Sequence, residues 1–204
     1  MIPIALATED ALSESLGQRL LAELTPKLPE PMLLRKGGFG YLRSGMPKWR
    51  QLSQRQAVVI LADLDDTTCP AVLRADWLGG LPCPENLLLR VAVREAESWL
   101  LADHEAMRQL MGAKGALPRN PDALPDPKKF VLDLAQKAPR DVRLDMVRAS
   151  GAMSGQGIGY NARLTALVAT TWSPERAAER SPSLGRARIR LRQMVDRLHA
   201  HPPA

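Results

Sequence analysis

The sequence predicts an α/β protein: a mostly parallel sheet flanked by helices, with a helical C-terminal part. Three observations predict it. Short apolar runs alternate with helix-period runs in the order strand, helix, strand, basic segment, strand, helix, strand. Residues 57–62 (AVVILA) are β-branched and apolar on both faces, as a central parallel strand must be. Beyond residue 127 the apolar residues recur only at helical spacing. The chain of 204 residues is 45% hydrophobic and 25% charged, which excludes a disordered or collagen-like chain. One domain over 1–204 is expected, with a core at about 1–111 and the helical part at about 127–200.

Residues 1–7 (MIPIALA) form the first expected strand. A helix follows, with Leu12, Leu16, Leu20 and Leu24 on one face and Thr8 as its expected N-cap. Pro26, Pro29 and Pro31 end it, and residues 32–35 suit a second strand. An irregular basic segment leads to strand 57–62, then to a helix at Pro70–Leu78. Residues 86–93 (NLLLRVAV) are the next strand, and a helix is expected from residue 94, continuing or restarting through Met111. Residues 112–127 are a Pro- and Gly-rich loop, 128–137 helical, and 151–159 a glycine-rich loop. Residues 161–171 and 174–180 read as helices, and the last segment as an amphipathic helix with arginines on its outer side.

The longest apolar run is far short of the ~18 residues of a membrane span. No basic flank precedes the apolar N-terminus, so a signal peptide is not expected and a cytoplasmic location is. Cys69 and Cys83 form no CxxC and read as plain thiols.

The net charge of +6 is unevenly placed. Residues 35–55 hold Arg35, Lys36, Arg43, Lys48, Arg50 and Arg55 and no acid, and residues 174–204 hold seven Arg against three acids. The remainder is therefore acidic. Basic stretches release counterions from phosphates, so nucleic acid is the expected partner, with solvated surface as the bland reading. Tyr41 and Trp49 suit either base stacking or loop anchoring.

The acids carry the chemistry. Residues two apart in an extended chain point to one side, so Asp63 and Asp65, closing a buried strand, aim two carboxylates into one crevice. Carboxylates this close repel, and the usual remedy is a hard divalent cation, Mg²⁺ or Mn²⁺. Acidic turns after strands are also common without any metal. Glu9 holds the matching place after the first strand, and Glu95 and Glu97 follow the strand at 86–93.

ALATEDALSESLGQRLL resembles the first motif of the Toprim superfamily, and VVILADLDD resembles its second, a strand ending in D-x-D. The stretches RVAVREAESWLLAD, DPKKFVLDLA and GYNARLTALVATTWSPERAAERSPSL look like a family of small bacterial Toprim-like proteins described as a domain of unknown function and often associated with phage defence. The resemblance covers nearly the whole chain. It implies a compact Rossmann-like fold in which Glu9, Asp63 and Asp65 hold Mg²⁺ for phosphodiester cleavage or transfer. Glu95, Glu97 and Ser98 would form a second acidic group, and defence-system proteins are possible partners. The motif Glu is usually followed by Gly, which turns tightly beside a metal or phosphate; here Asp10 follows.

Other residues have competing readings. Glu95 and Trp99 share one expected helix face, so Glu95 or Glu97 would act as a cap or an ion-pair partner instead. Lys128 and Lys129 suit phosphate contact or a solvated first turn, and Gly155, Gly157 and Gly159 a phosphate cradle or a flexible loop. No tyrosine is placed as a nucleophile and no histidine as a base. The sequence therefore predicts a Mg²⁺-dependent nuclease-type phosphodiesterase. Glu9, Asp63, Asp65 and Glu97 are its expected catalytic residues, with Glu95 as a further metal ligand. Arg35, Lys36, Arg43, Lys48, Arg50, Lys128 and Lys129 are the expected phosphate contacts. A catalytically silent binding protein and a nucleotide-processing enzyme are the alternatives.

Overall fold

The computed structural model describes residues 3–24, 30–35, 40–148 and 155–200. The chain runs β1 (Ile4–Thr8), α1 (Ala11–Ala22), β2 (Met32–Arg35), α2 (Tyr41–Ser44), α3 (Met46–Leu52), β3 (Ala57–Asp63), α4 (Pro70–Leu78) and β4 (Leu87–Ala92). Among the described residues the α-helices that follow are α5 (Glu97–Ala102), α6 (His104–Met111), α7 (Pro127–Ala135), α8 (Arg140–Met146), α9 (Tyr160–Thr170), α10 (Pro174–Ala178) and α11 (Pro182–Ala200). The four strands form one all-parallel sheet in the order β2-β1-β3-β4. This is the α/β architecture with a helical C-terminal part that the sequence predicts.

Strand alternation divides the core between two faces. Ala5, Ala7, Val58, Ile60, Ala62, Leu89 and Val91 pack with Leu42, Met46, Trp49 and Leu73 of α2, α3 and α4. Ile4, Leu6, Val59, Leu61 and Ala92 pack with Leu12, Leu16 and Leu20 of α1 and with the C-terminal helices. Because α1 covers one face and α2–α4 the other, the chain reverses its winding direction between β1 and β3. The carboxyl ends of those two strands flank the crevice where open α/β sheets bind ligands.

Polar contacts tie α5 and α6 to the segments that follow them. Trp99 is fully buried; its Nε1 donates to Ser183 Oγ at 2.8 Å, and Trp172 Nε1 donates to the Trp99 carbonyl at 3.0 Å. Asp122 accepts from the Ser183 amide at 2.8 Å and from Ser181 Oγ at 2.7 Å. Asp103, with no exposed surface, caps α6 and takes Arg176 through Nε at 2.9 Å and Nη2 at 2.8 Å. The blocks ESWLLAD, SPER and SPSL thus serve as connectors between helices.

Four expectations change. The basic stretch is not irregular where it is described: residues 41–52 form α2 and α3, whose Leu42, Met46 and Trp49 cover the sheet. Thr8 ends β1, and Asp10 caps α1 instead, accepting from the Ser13 amide at 2.7 Å. Helix α5 starts at Glu97, so Glu95 lies before it and shares no helix face with Trp99. Residues 140–146 form α8, which the sequence reading leaves unassigned; Val142 and Met146 bury its inner side.

Asp103 is buried and accepts from the Ser173 amide and from the half-buried Arg176, so its loss leaves buried donors without their acceptor. Asp103→Ala also loses the cap of α6, and urea unfolding is expected to register a loss of about 3 kcal/mol. Arg143→Ala, on an exposed face, is expected to stay within about 0.5 kcal/mol of the parent.

Candidate functional site

Strand order brings the acids to one end of the sheet. Ala7 pairs with Ile60, and Asp63 pairs with Ala92, so the segments after β1, β3 and β4 leave the sheet side by side. Glu9 leaves β1 half-buried. Asp10, in place of the usual Gly, has φ −135° and ψ 176°. That is extended backbone open to any residue, so the turn after Glu9 makes no demand that glycine alone meets.

Asp63 is the centre of the group. Its Oδ1 is shut off from solvent and has no hydrogen-bond partner. Burial pushes its carboxyl well above the usual range, and the neighbouring Glu97, Asp10, Asp65 and Glu95 push it further. Burial also raises Glu9, helped by Asp65 and Asp10, and raises Asp65, helped by Asp66. Glu95 is raised by burial against the pull of the Lys128 amide, which donates to its Oε2 at 2.8 Å. Among the described residues no group of three or more His, Cys, Asp or Glu already stands at the spacing that holds a metal ion. The acids share an electrostatic field rather than a finished coordination shell.

Backbone strain is concentrated here. Asp65 has φ +48° and Arg94 φ +65°, the only non-glycine residues with positive φ among those described. They hold each other. The Asp65 amide donates to the Arg94 carbonyl at 2.9 Å, and Arg94 Nη1 donates to the Asp65 carbonyl at 2.9 Å. Non-glycine residues in this region cost about 1–3 kcal/mol each and persist where the surroundings over-determine them. Arg94 is therefore a positioning residue for Asp65, through both its carbonyl and its guanidinium, and residue spacing in the sequence does not reveal that role.

Tyr160 is the other residue that sequence reasoning missed. It opens α9 and is fully buried. Its hydroxyl donates to Glu97 Oε1 at 3.1 Å. Burial and Glu97 push the phenol far above its ordinary value, which makes it a hydrogen-bond donor and not a nucleophile. Lys128 Nζ stands 5.7 Å from the Tyr160 ring centroid. Glu97 itself is buried, and that burial pushes its carboxyl up to about 6 against the opposing effects of its own backbone contact, Lys128 and Tyr160. Ser98 Oγ beside it is buried without a partner.

The expected phosphate contacts are scattered. Arg35 pairs with Glu14 at 3.6 Å and Arg43 with Asp76 at 2.9 Å, while Arg50 Nη2 donates to the Pro82 carbonyl at 2.9 Å. Lys48 lines a shallow hollow with Arg55, and Lys36 lies outside the described residues. Lys129 is exposed; its amide caps onto Asp126 at 2.7 Å. Trp49 is buried, donates to the Leu42 carbonyl and meets Tyr41 edge-on at 5.6 Å, so the pair anchors α2 and α3 to the sheet. The glycine loop is not a phosphate cradle where described. The amides of Gly157 and Gly159 already donate to Met146 and Asp145. A Cβ at Gly157 would sit 2.2 Å from the Asp145 carbonyl oxygen.

Comparison of the chain with protein-family models, curated proteins and solved structures finds no match.

Glu97 binds a proton more tightly folded (about 6) than unfolded (ordinary 4.5), so its share of stability is complete below 4.5 and is lost as pH rises through 6. In EDTA, Glu97→Gln is expected to remove that pH dependence between about 4.5 and 6 while keeping an acceptor for Tyr160, as read by thermal unfolding. Asp63→Asn is expected to raise the melting temperature at pH 7.5, by about 2–4 °C for each kcal/mol of repulsion relieved.

Proposed function

We propose that the protein is a Toprim-like, metal-dependent phosphodiester hydrolase acting on nucleic acid. The observation that carries this reading is the buried, unpartnered Asp63 oxygen amid four other carboxylates at the winding reversal of the sheet. A protein pays for such a gathering only if something positive offsets it when the site works. The donors are all hard carboxylate oxygens, the ligand type that Mg²⁺ and Mn²⁺ take. The resemblance of the Glu9 and Asp63/Asp65 segments to the two Toprim motifs points to the same chemistry.

In this reading Asp63, Asp65 and Glu9 hold the cation, and Glu95 and Glu97 border it. A bound cation lowers the pKa of a water and neutralises charge on the phosphate. Arg94 fixes the Asp65 backbone, and Tyr160 fixes the Glu97 carboxylate. Lys128, whose charge is felt by Glu95 and Glu97, supplies an ammonium to meet a phosphate oxygen. Water adds to phosphorus, the ester P–O bond breaks, and the departing oxygen takes up a proton. The phage-defence role and the partner proteins that the family resemblance implies belong to this proposal too. A catalytically silent binding protein is the second reading, favoured by the absence of three acids already at metal-holding spacing among the described residues.

Purified protein with Mn²⁺ or Mg²⁺ is expected to cut single- or double-stranded DNA or RNA. Asp63→Ala is expected to lower the rate at least about 100-fold. Equal rates in the two proteins overturn the assignment. No cleavage of these substrates together with no calorimetric Mn²⁺ binding at millimolar concentration supports the silent reading instead.

A further inference from the structure

A second charged feature lies away from the carboxylates. β4 is an edge strand, and beside it a cavity of about 430 Å³ opens between α4 and α11. Arg74 of α4, Arg90 of β4, and Arg186 and Arg190 of α11 line it, and no carboxylate does. A second cavity of about 310 Å³ continues past Arg74, Arg90 and Arg190 toward Arg197, whose charge is met by Glu85 at 3.4 Å. Among the described residues none of the four arginines forms an ion pair, and Arg190 finds only the neutral Gln193 at 3.0 Å. Arg90 Nε is cut off from solvent without an acceptor.

This arrangement is costly as it stands. Arg186 and Arg190 are one helical turn apart, where like charges destabilise. Burial and the three neighbouring guanidinium groups pull Arg90 down to about 10. A buried donor without an acceptor adds its own desolvation penalty. Guarding an edge strand against pairing takes one inward charge and does not account for three more from two helices. Convergent arginines with donors to spare match the oxygens of phosphate, which guanidinium groups bind in pairs.

We propose that the cavity between α4 and α11 is a phosphate-binding site, built by Arg74, Arg90, Arg186 and Arg190, for the phosphates of a nucleic-acid strand or of a free nucleotide. Arg90 pairs with Leu61, two residues before Asp63, and lies on the same face of the sheet. Its backbone is therefore one strand over and about 7 Å along from the Asp63 backbone. A strand held here passes close to the carboxylates, but binding at the arginines does not depend on the metal reading.

The test measures binding to the full chain in EDTA, where no metal-dependent step runs. The probes are a fluorescent 20-nucleotide single strand, read by anisotropy, and pyrophosphate, read by calorimetry. Arg90→Met and Arg190→Ala are each expected to weaken binding at least tenfold. Arg143→Ala, with the same charge change on an exposed part of α8, is expected to change it less than twofold. Arg190 is only half-buried and lies on α11 outside the sheet, so its variant tests the site even if Arg90→Met melts early. Tight binding of the oligonucleotide with a steep salt dependence identifies the strand as ligand, and equal or tighter binding of pyrophosphate identifies a free nucleotide. The proposal is overturned if the parent binds neither probe, or if the cavity variants lose no more than Arg143→Ala. Binding is read in EDTA and cleavage in Mn²⁺, so failure of cleavage and failure of this site give different results.

Discussion

Repulsion among the carboxylates gathered at one end of the sheet is the constraint on which the site depends. The order β2-β1-β3-β4 sets the ends of β1, β3 and β4 side by side, and each end carries acids. Burial and mutual repulsion raise Glu9, Asp63, Asp65, Glu95 and Glu97 together. Neighbouring contacts offset part of the cost. The Lys128 amide meets Glu95, the Tyr160 hydroxyl meets Glu97, and Asp10 turns its carboxylate to the first amides of α1. Asp63 receives no such help at Oδ1, and the account of function is built on that asymmetry.

The helical C-terminal part bears on the site through its packing. Tyr160 reaches Glu97 only because α9 lies against α1, and α5 is held between Trp172 and Ser183 through Trp99. Buried, satisfied polar contacts of this kind fix a unique arrangement, since each donor has one partner within reach. Glu97 is thereby held rigid at the first turn of α5. On the opposite side of β4, the arginines of α4 and α11 form a field of the other sign.

The sheet was readable because its strands are short, apolar and bounded by turn residues; residues 57–62 and 86–93 illustrate this. The acids at the strand ends were readable for the same reason, since a strand end fixes where the next side chain goes. Charge runs misled where folding spends charges internally. Arg43 and Arg50 look like a phosphate grip in sequence, yet they reach Asp76 and Pro82 about thirty residues away. Tyr160 and Arg94 stayed hidden because their roles depend on contacts made over long sequence separations or on a backbone angle. The cluster of Arg74, Arg90, Arg186 and Arg190 was hidden likewise, assembled from three elements that are scattered along the chain.

The most direct measurement is anomalous X-ray scattering from crystals soaked in millimolar Mn²⁺. The account predicts a manganese peak within ligand distance, roughly 2.2 Å, of the Asp63 carboxylate, shared with Asp65 or Glu9. A soaked crystal with no peak at the end of β3, or with manganese bound only elsewhere, contradicts it.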